Sequence, residues 1–154
     1  MTMKSKTIII CRGVPASGKS TWAMEWVAEK PDSRRRVNRD DIRYAVYGVY
    51  SDASINEQLV TAIENQQVEN ALVAGLDVVI DATNLNSKSV RRFISFAEKH
   101  DYAVEIKDFE VSLKEAIYRD SRREKSVGEE VIKSFFVRYT NDGKLPEVRT
   151  ERAI

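Results

Sequence analysis

Eight residues, Gly13-Val14-Pro15-Ala16-Ser17-Gly18-Lys19-Ser20, set two glycines, a lysine and a hydroxyl at the spacing G-x-x-x-x-G-K-[ST]. That pattern suits the holding of a polyphosphate. Placed between a strand and a helix, such a turn wraps consecutive backbone N–H groups and the helix N-terminus around one anion. Gly13, Ala16, Ser17 and Gly18 would form the cradle, with Thr21 following it. Lys19 would reach the β- and γ-phosphates of ATP or another nucleoside triphosphate, and the Ser20 hydroxyl would ligate Mg²⁺.

Further along come residues suited to moving a phosphoryl group rather than only holding it. Phosphoryl transfer to an alcohol needs a carboxylate near the acceptor hydroxyl. Asp40 and Asp41 both stand at a helix start, where dipole-favoured surface charges would read the same way. Arg43 lies three residues past Asp40, on the same helical face. It could grip an acceptor phosphate through its fork, or simply pair with Asp40. Arg39 belongs to the same basic run and is a second candidate for the acceptor. Asp81 ends an apolar run and suits either a water-mediated Mg²⁺ site or a strand-end cap. Thr83 and Asn84 could line the acceptor groove or only shape the turn. Arg119, Arg122 and Arg123 form a second basic cluster. It reads as a lid closing over the transferring group, or as cations favoured at a helix C-terminus.

The elements that must position these residues alternate. Thr7–Arg12 reads as a strand and Ser20–Lys30 as the helix after the glycine turn. Residues 35–38 form a short strand, 40–47 a brief helix and 54–74 a longer one closed by Gly75. Asp77–Asp81 is a buried strand, and Ser87–His100 an amphipathic helix with Val90, Phe93, Ile94 and Ala97 at helical spacing. A strand over 103–109 and helices over 113–124 and 128–139 follow, with Ser126 and Glu129 at capping-box spacing. The tail after Asn141 is polar and irregular. Alternation predicts an α/β fold, a parallel sheet flanked by helices, with a phosphate loop and a helical lid. In such sheets ligands bind beyond the carboxyl ends of the strands, where the candidates above fall.

The 154 residues fit one domain over 1–154 with a real core, and a net charge of +1 excludes a generally cationic nucleic-acid binder. No apolar stretch is long enough to span a membrane, and the start lacks a signal-peptide hydrophobic region. The single cysteine, Cys11, late in the first strand, reads as buried filler and suits a reducing cytoplasm. The lone histidine, His100, reads as a surface residue, and no Cys/His cluster suggests zinc.

Four segments in order, GVPASGKSTW (Gly13–Trp22), VNRDDIR (Val37–Arg43), DATNLN (Asp81–Asn86) and YRDSRR (Tyr118–Arg123), resemble the kinase domain of phage-type 5′-hydroxyl polynucleotide kinase. The phosphate loop is generic to a large class; N-R-D-D-x-R and T-N-L-N are far more specific. The resemblance implies transfer of the ATP γ-phosphate to DNA or RNA 5′-hydroxyl ends in nucleic-acid repair. It assigns Lys19 and Ser20 to triphosphate and metal, Asp40 to the general base and Arg43 to the acceptor's 3′-side phosphate. Arg123 would contact the donor phosphates from the lid, with Arg119 assisting. It also implies a homo-oligomer and a 3′-phosphatase or ligase partner. The family pattern sets an aspartate directly before Thr-Asn, where this chain has Ala82. The carboxylate here is Asp81, one residue earlier, which suits metal coordination. No D-x-D-G-T phosphatase motif occurs, so the resemblance reads as a stand-alone kinase or an excised domain. Two other readings stay open: a metabolite kinase of the same fold, and a non-enzymatic nucleotide-dependent binding module.

Overall fold

A computed structural model describes residues 6–148. Among these residues four strands, β1 (Thr7–Arg12), β2 (Arg34–Asn38), β3 (Asp77–Asp81) and β4 (Ala103–Asp108), form one parallel sheet in the order β2-β3-β1-β4. Six helices connect and follow them: α1 (Lys19–Glu29), α2 (Arg39–Tyr47), α3 (Glu57–Val73), α4 (Ser87–His100), α5 (Leu113–Ser121) and α6 (Glu129–Tyr139).

Strand side chains alternate between faces, and the two faces bury different partners. Ile8, Ile10, Val78 and Ile80 pack with Val60, Val68 and Leu72 of α3 and Val90, Phe93 and Ala97 of α4. Ile9, Cys11 and Val79 point the other way, onto Ala23 of α1 with Trp22 and Trp26 beside it. Each such large apolar side chain contributes roughly 1.5–3 kcal/mol by leaving water. Cys11 is fully buried, and burial, with the Asp81 charge adding to it, pushes its thiol up to about 12. It is filler, as expected. A third cluster joins α5 and α6 to the loops after β1 and β3, through Val14, Leu85, Ala116 and Ile132. The helix pair is therefore docked over the carboxyl end of the sheet.

Most element bounds match the sequence pattern to within a residue or two, and the departures have physical causes. The long helix begins at Glu57, not at position 54, because the Asn56 side chain accepts from the amides of Gln58 and Leu59 and caps it there. α5 ends at Ser121 rather than running to position 124. The amides of Arg122 and Arg123 turn back to the carbonyls of Arg119 and Asp120, and the Ser121 hydroxyl bonds the Tyr118 carbonyl. The Ser126–Glu129 capping box does not form. Ser126 donates instead to the Asp120 carboxylate, a stronger acceptor, and α6 starts at Glu129 after Gly128 with no side-chain cap. His100 is half-buried, with Nε2 3.0 Å from the Glu69 carboxylate. After Asn141 the chain makes one bridge, Asn141 with Lys144; residues 149–154 of the expected irregular tail lie outside the described residues.

Candidate phosphate-transfer site

The carboxyl ends of β1, β2 and β3 lie side by side. Register pairs Val37 with Ile80, Asn38 with Asp81, and Ile10 with Ile80, so the loops that leave the three strands start nearly level. They open into a cleft of about 800 Å³ closed on the far side by the α5–α6 pair.

The loop after β1 follows the geometry that its glycines demand. A Cβ on Gly13 would lie 2.8 Å from the Phe109 carbonyl, so no side chain fits there. Gly18 caps α1 with φ +104°, a left-handed conformation that costs glycine nothing. Ala16 to Thr21 line the cleft, whereas Gly13 lies behind the loop and ties it to the loop after β3 by its amide bond to the Thr83 carbonyl, 3.0 Å. Lys19 is buried and donates to the carbonyls of Gly13 and Val14 and to the Ser17 hydroxyl, at 2.9, 2.7 and 3.1 Å. Burial lowers its ammonium from 10.5 to about 8, against the opposing pull of Asp81. A buried cation holding the loop's own carbonyls is poised to exchange them for phosphate oxygens.

The N-terminus of α2 supplies the acidic side. Asn38 caps the helix by accepting from the Asp41 amide, 2.9 Å, while its own amide donates to Asp81. One residue thus fixes β2, β3 and the entry of α2. Asp40 faces the cleft; Asp41 turns away and pairs with Arg36 at 2.6 Å and Lys125 at 3.5 Å. Arg43 also lines the cleft, donating Nη1 to Asp40 and closing Nε and Nη2 on Glu57 at 2.8 and 2.9 Å. The Arg43 bonds hold Glu57 below its ordinary carboxylate range. Arg39 reaches Thr61, Glu57 and the buried Glu64.

Asp81 is buried, and its Oδ2 takes Arg36 at 2.7 Å and Asn38 at 3.2 Å. All these bonds go to one oxygen. Ser20 is exposed at the same cleft. A hydroxyl and a carboxylate oxygen fit Mg²⁺, a hard cation that takes few protein ligands and completes its shell with water and phosphate oxygens. Among the described residues there is no cluster of three His, Cys, Asp or Glu that could hold a metal unaided.

Thr83 lines the cleft; Asn84 is buried where the adjoining groove begins, and its amide donates to the Cys11 carbonyl at 2.7 Å. Its φ of +47° marks a turn that shapes the loop. The lid residues divide as well. Arg119 and Arg123 line the cleft, paired with Glu115 and Asp120; Arg122 does not, and lies over the Tyr118 ring. Asp120 is the hub of this connection. It accepts from Arg123, Ser126 and the amides of Val127 and Gly128, at 2.8–3.0 Å. Burial alone would raise its carboxyl, but the Val127, Ser126 and Gly128 bonds outweigh that and bring it to about 2.

Sequence reasoning did not single out Glu57, Glu64 or Asp120. Each is the counter-charge of a residue that it did single out or a neighbour of one, and the only available signal was that arginine clusters this dense need nearby carboxylates.

Comparison with known proteins agrees with this fold. Residues 8–141 match the family described as AAA domain. A protein of Autographa californica nuclear polyhedrosis virus described as a bifunctional polynucleotide kinase/RNA ligase is 29% identical over 77% of this chain. Two structures of the Pnkp1/Rnl/Hen1 complex, one described as an RNA repair complex, contain similar chains. One is 27% identical with a TM-score of 0.74 over 98% of this chain; the other is 30% identical with a TM-score of 0.63 over 77%. The chain spans only 18% of the viral protein and 51% and 40% of those two solved chains. A Mycobacterium tuberculosis APS kinase, CysC, in complex with AMPPNP and APS shares the fold, with a TM-score of 0.53 and 15% identity.

Proposed function

Because the chain belongs to the AAA domain family, we propose that this phosphate-loop domain is a kinase transferring the γ-phosphate of ATP to the 5′-hydroxyl of DNA or RNA. The observation that carries the proposal is the placement of Asp40, Arg43, Lys19 and Arg123 around one cleft. The relatives described as polynucleotide kinase support the choice of acceptor.

In this reading the loop amides and Lys19 bind the β- and γ-phosphates. Asp40, with Oδ1 held by Arg43, accepts the 5′-hydroxyl proton as that oxygen bonds to the γ-phosphorus. The bond from the γ-phosphorus to the β–γ bridging oxygen breaks and ADP leaves. Arg43 and Thr83 orient the acceptor. Arg119 and Arg123 face the transferring group and stabilise the charge that spreads over its oxygens. Mg²⁺, held by Ser20 with Asp81 behind it, would neutralise charge on the same phosphates. A role in nucleic-acid repair with a ligase as partner is supported by relatives described as a polynucleotide kinase/RNA ligase and as an RNA repair complex; a phosphatase partner rests on the sequence resemblance alone.

The test is transfer of labelled γ-phosphate to matched DNA and RNA 5′-hydroxyl ends, with Lys19→Ala as the inactive control. Label on neither nucleic acid, with label on a small alcohol instead, would replace the acceptor by a metabolite.

A further inference from the structure

The cleft has a second arm that the chemistry above does not use. A groove of about 1190 Å³ runs between α3 and α4 and shares Arg39, Ala82 and Thr83 with the site. Its wall on α4 is a mostly basic stripe, with Glu98 its one lining carboxylate. Lys88, Arg91, Arg92, Ser95 and Lys99 recur at three- and four-residue spacing, while Val90, Phe93 and Ala97 face the core. Between Lys88 and Lys99 the stripe extends about 16 Å along the helix.

The cations of the groove differ in their partners, and Lys99 at the far end pairs with Glu69 at 3.5 Å. Arg92 and Arg39 are fixed from beneath by one buried carboxylate, Glu64, which accepts from both at 2.9 and 3.0 Å. With Glu57 also on Arg39 at 2.9 Å, these ion pairs make the groove floor rigid and leave its guanidinium charge largely compensated. Lys88 and Arg91, by contrast, have no ion-pair partner among the described residues. Lys88 is exposed and Arg91 half-buried. Unpartnered cations above a rigid, ion-paired floor, in a groove that opens at the reacting end, match a chain of evenly spaced anions.

We propose that this groove carries the sugar-phosphate backbone of the acceptor strand away from the site, with Lys88 and Arg91 contacting phosphates beyond the terminal nucleotide. The inference rests on the polynucleotide reading and adds to it a path and a length requirement. Acceptors that end at the first phosphate stay inside the cleft; longer single strands gain the groove.

Two measurements on the full chain test it. The first is the affinity of a fluorescein-labelled ten-nucleotide 5′-hydroxyl single strand, by anisotropy across a salt series, for the wild type and for Lys88→Ala/Arg91→Ala. The second is transfer kinetics with the ten-mer and with a nucleoside 3′-phosphate. The double variant should bind the ten-mer about tenfold more weakly, and its salt slope should fall by about 1.4, the release of counterions from two single-strand phosphate contacts. Its KM for the nucleoside 3′-phosphate should be unchanged, which also shows that the variant is folded. Equal affinity and slope in the two proteins would overturn the groove while leaving the kinase reading intact. Weakened binding with no transfer by the wild type would uphold the groove and remove the kinase reading. A wild type that binds no single strand would overturn both.

Discussion

Arg43 donates Nη1 to the Oδ1 of Asp40 at 2.8 Å, one helical turn along α2, with Asp40 about half exposed and the guanidinium closed on Glu57 behind it. The neighbouring carboxylate, Asp41, makes its ion pairs with Arg36 and Lys125 outside the cleft. Asp40→Asn should therefore lower kcat by about 10²-fold or more, with ATP affinity little changed, because the proton acceptor is lost and the shape is kept. Asp41→Asn should stay close to wild type. Steady-state kinetics of both variants check the pair, and equal losses would remove the assignment of Asp40 as the base.

Arg43 should matter to the acceptor and not to the donor. Arg43→Ala is expected to raise KM for acceptors with a phosphate 3′ of the reacting nucleoside and to spare ATP binding. Arg43→Lys should recover little, because an ammonium replaces neither the Glu57 fork nor a bidentate phosphate contact. A variant with weakened ATP binding and a normal acceptor KM would move Arg43 to the donor side.

Lys19 gives a pH signature. Its pKa in the folded protein is lowered to about 8 from 10.5. Between those values the unfolded chain holds a proton that the folded protein has released, so this group makes the free protein more stable as pH rises from 8 towards 10.5. Bound triphosphate favours the charged ammonium, so binding at pH 9 should take up a proton, about 0.9 per site if the bound pKa returns to 10.5 or above. Calorimetry in buffers of different ionisation heat measures that uptake, and Lys19→Gln should abolish it. Proton release, or equal uptake in the variant, would place the ammonium elsewhere.

The lid is tested by neighbours. Arg123→Ala should lower kcat by about 10²-fold, more than it raises KM for ATP, as for loss of one preorganised charge contact. Arg122→Ala, whose side chain lies over Tyr118, should be closer to wild type. The hub beneath, Asp120, has its carboxyl brought down to about 2 from 3.8. The stability it contributes is present above pH 3.8 and is lost as pH falls towards 2. Asp120→Asn should flatten that part of the acid-unfolding curve, and an unchanged curve would deny Asp120 this role.

Period and punctuation made the fold legible. β1 and β3 are short continuous apolar runs and α4 carries a 3.6-residue pattern, and their bounds in the structure are those the sequence implies. The phosphate loop was legible because glycine has a backbone reason at Gly13 and Gly18. What the pattern could not give was long-range pairing. The end of α5 depends on Asp120 collecting the hydroxyl of Ser126 and two amides up to eight residues on. The orientation of Arg43 depends on Glu57, fourteen residues away on another helix. Asn84 reads by its neighbours in sequence as a groove residue or a turn residue; it lines the groove beside α4, and only the approach of β1 shows its amide bonded to Cys11. The choice between Asp40 and Asp41, open from spacing alone, turns on which of them the Asn38 cap directs into the cleft.

The most direct measurement is single-turnover transfer from γ-labelled ATP with Mg²⁺, offering a 5′-hydroxyl oligonucleotide, the same oligonucleotide already 5′-phosphorylated, and a panel of small alcohols. Label is expected on the 5′-hydroxyl strand and none on its phosphorylated twin or on the alcohols, and transfer should be lost in Asp40→Asn and Lys19→Ala. Label on a small alcohol with both strands untouched, or ATP turnover that no strand accelerates, would contradict the polynucleotide reading.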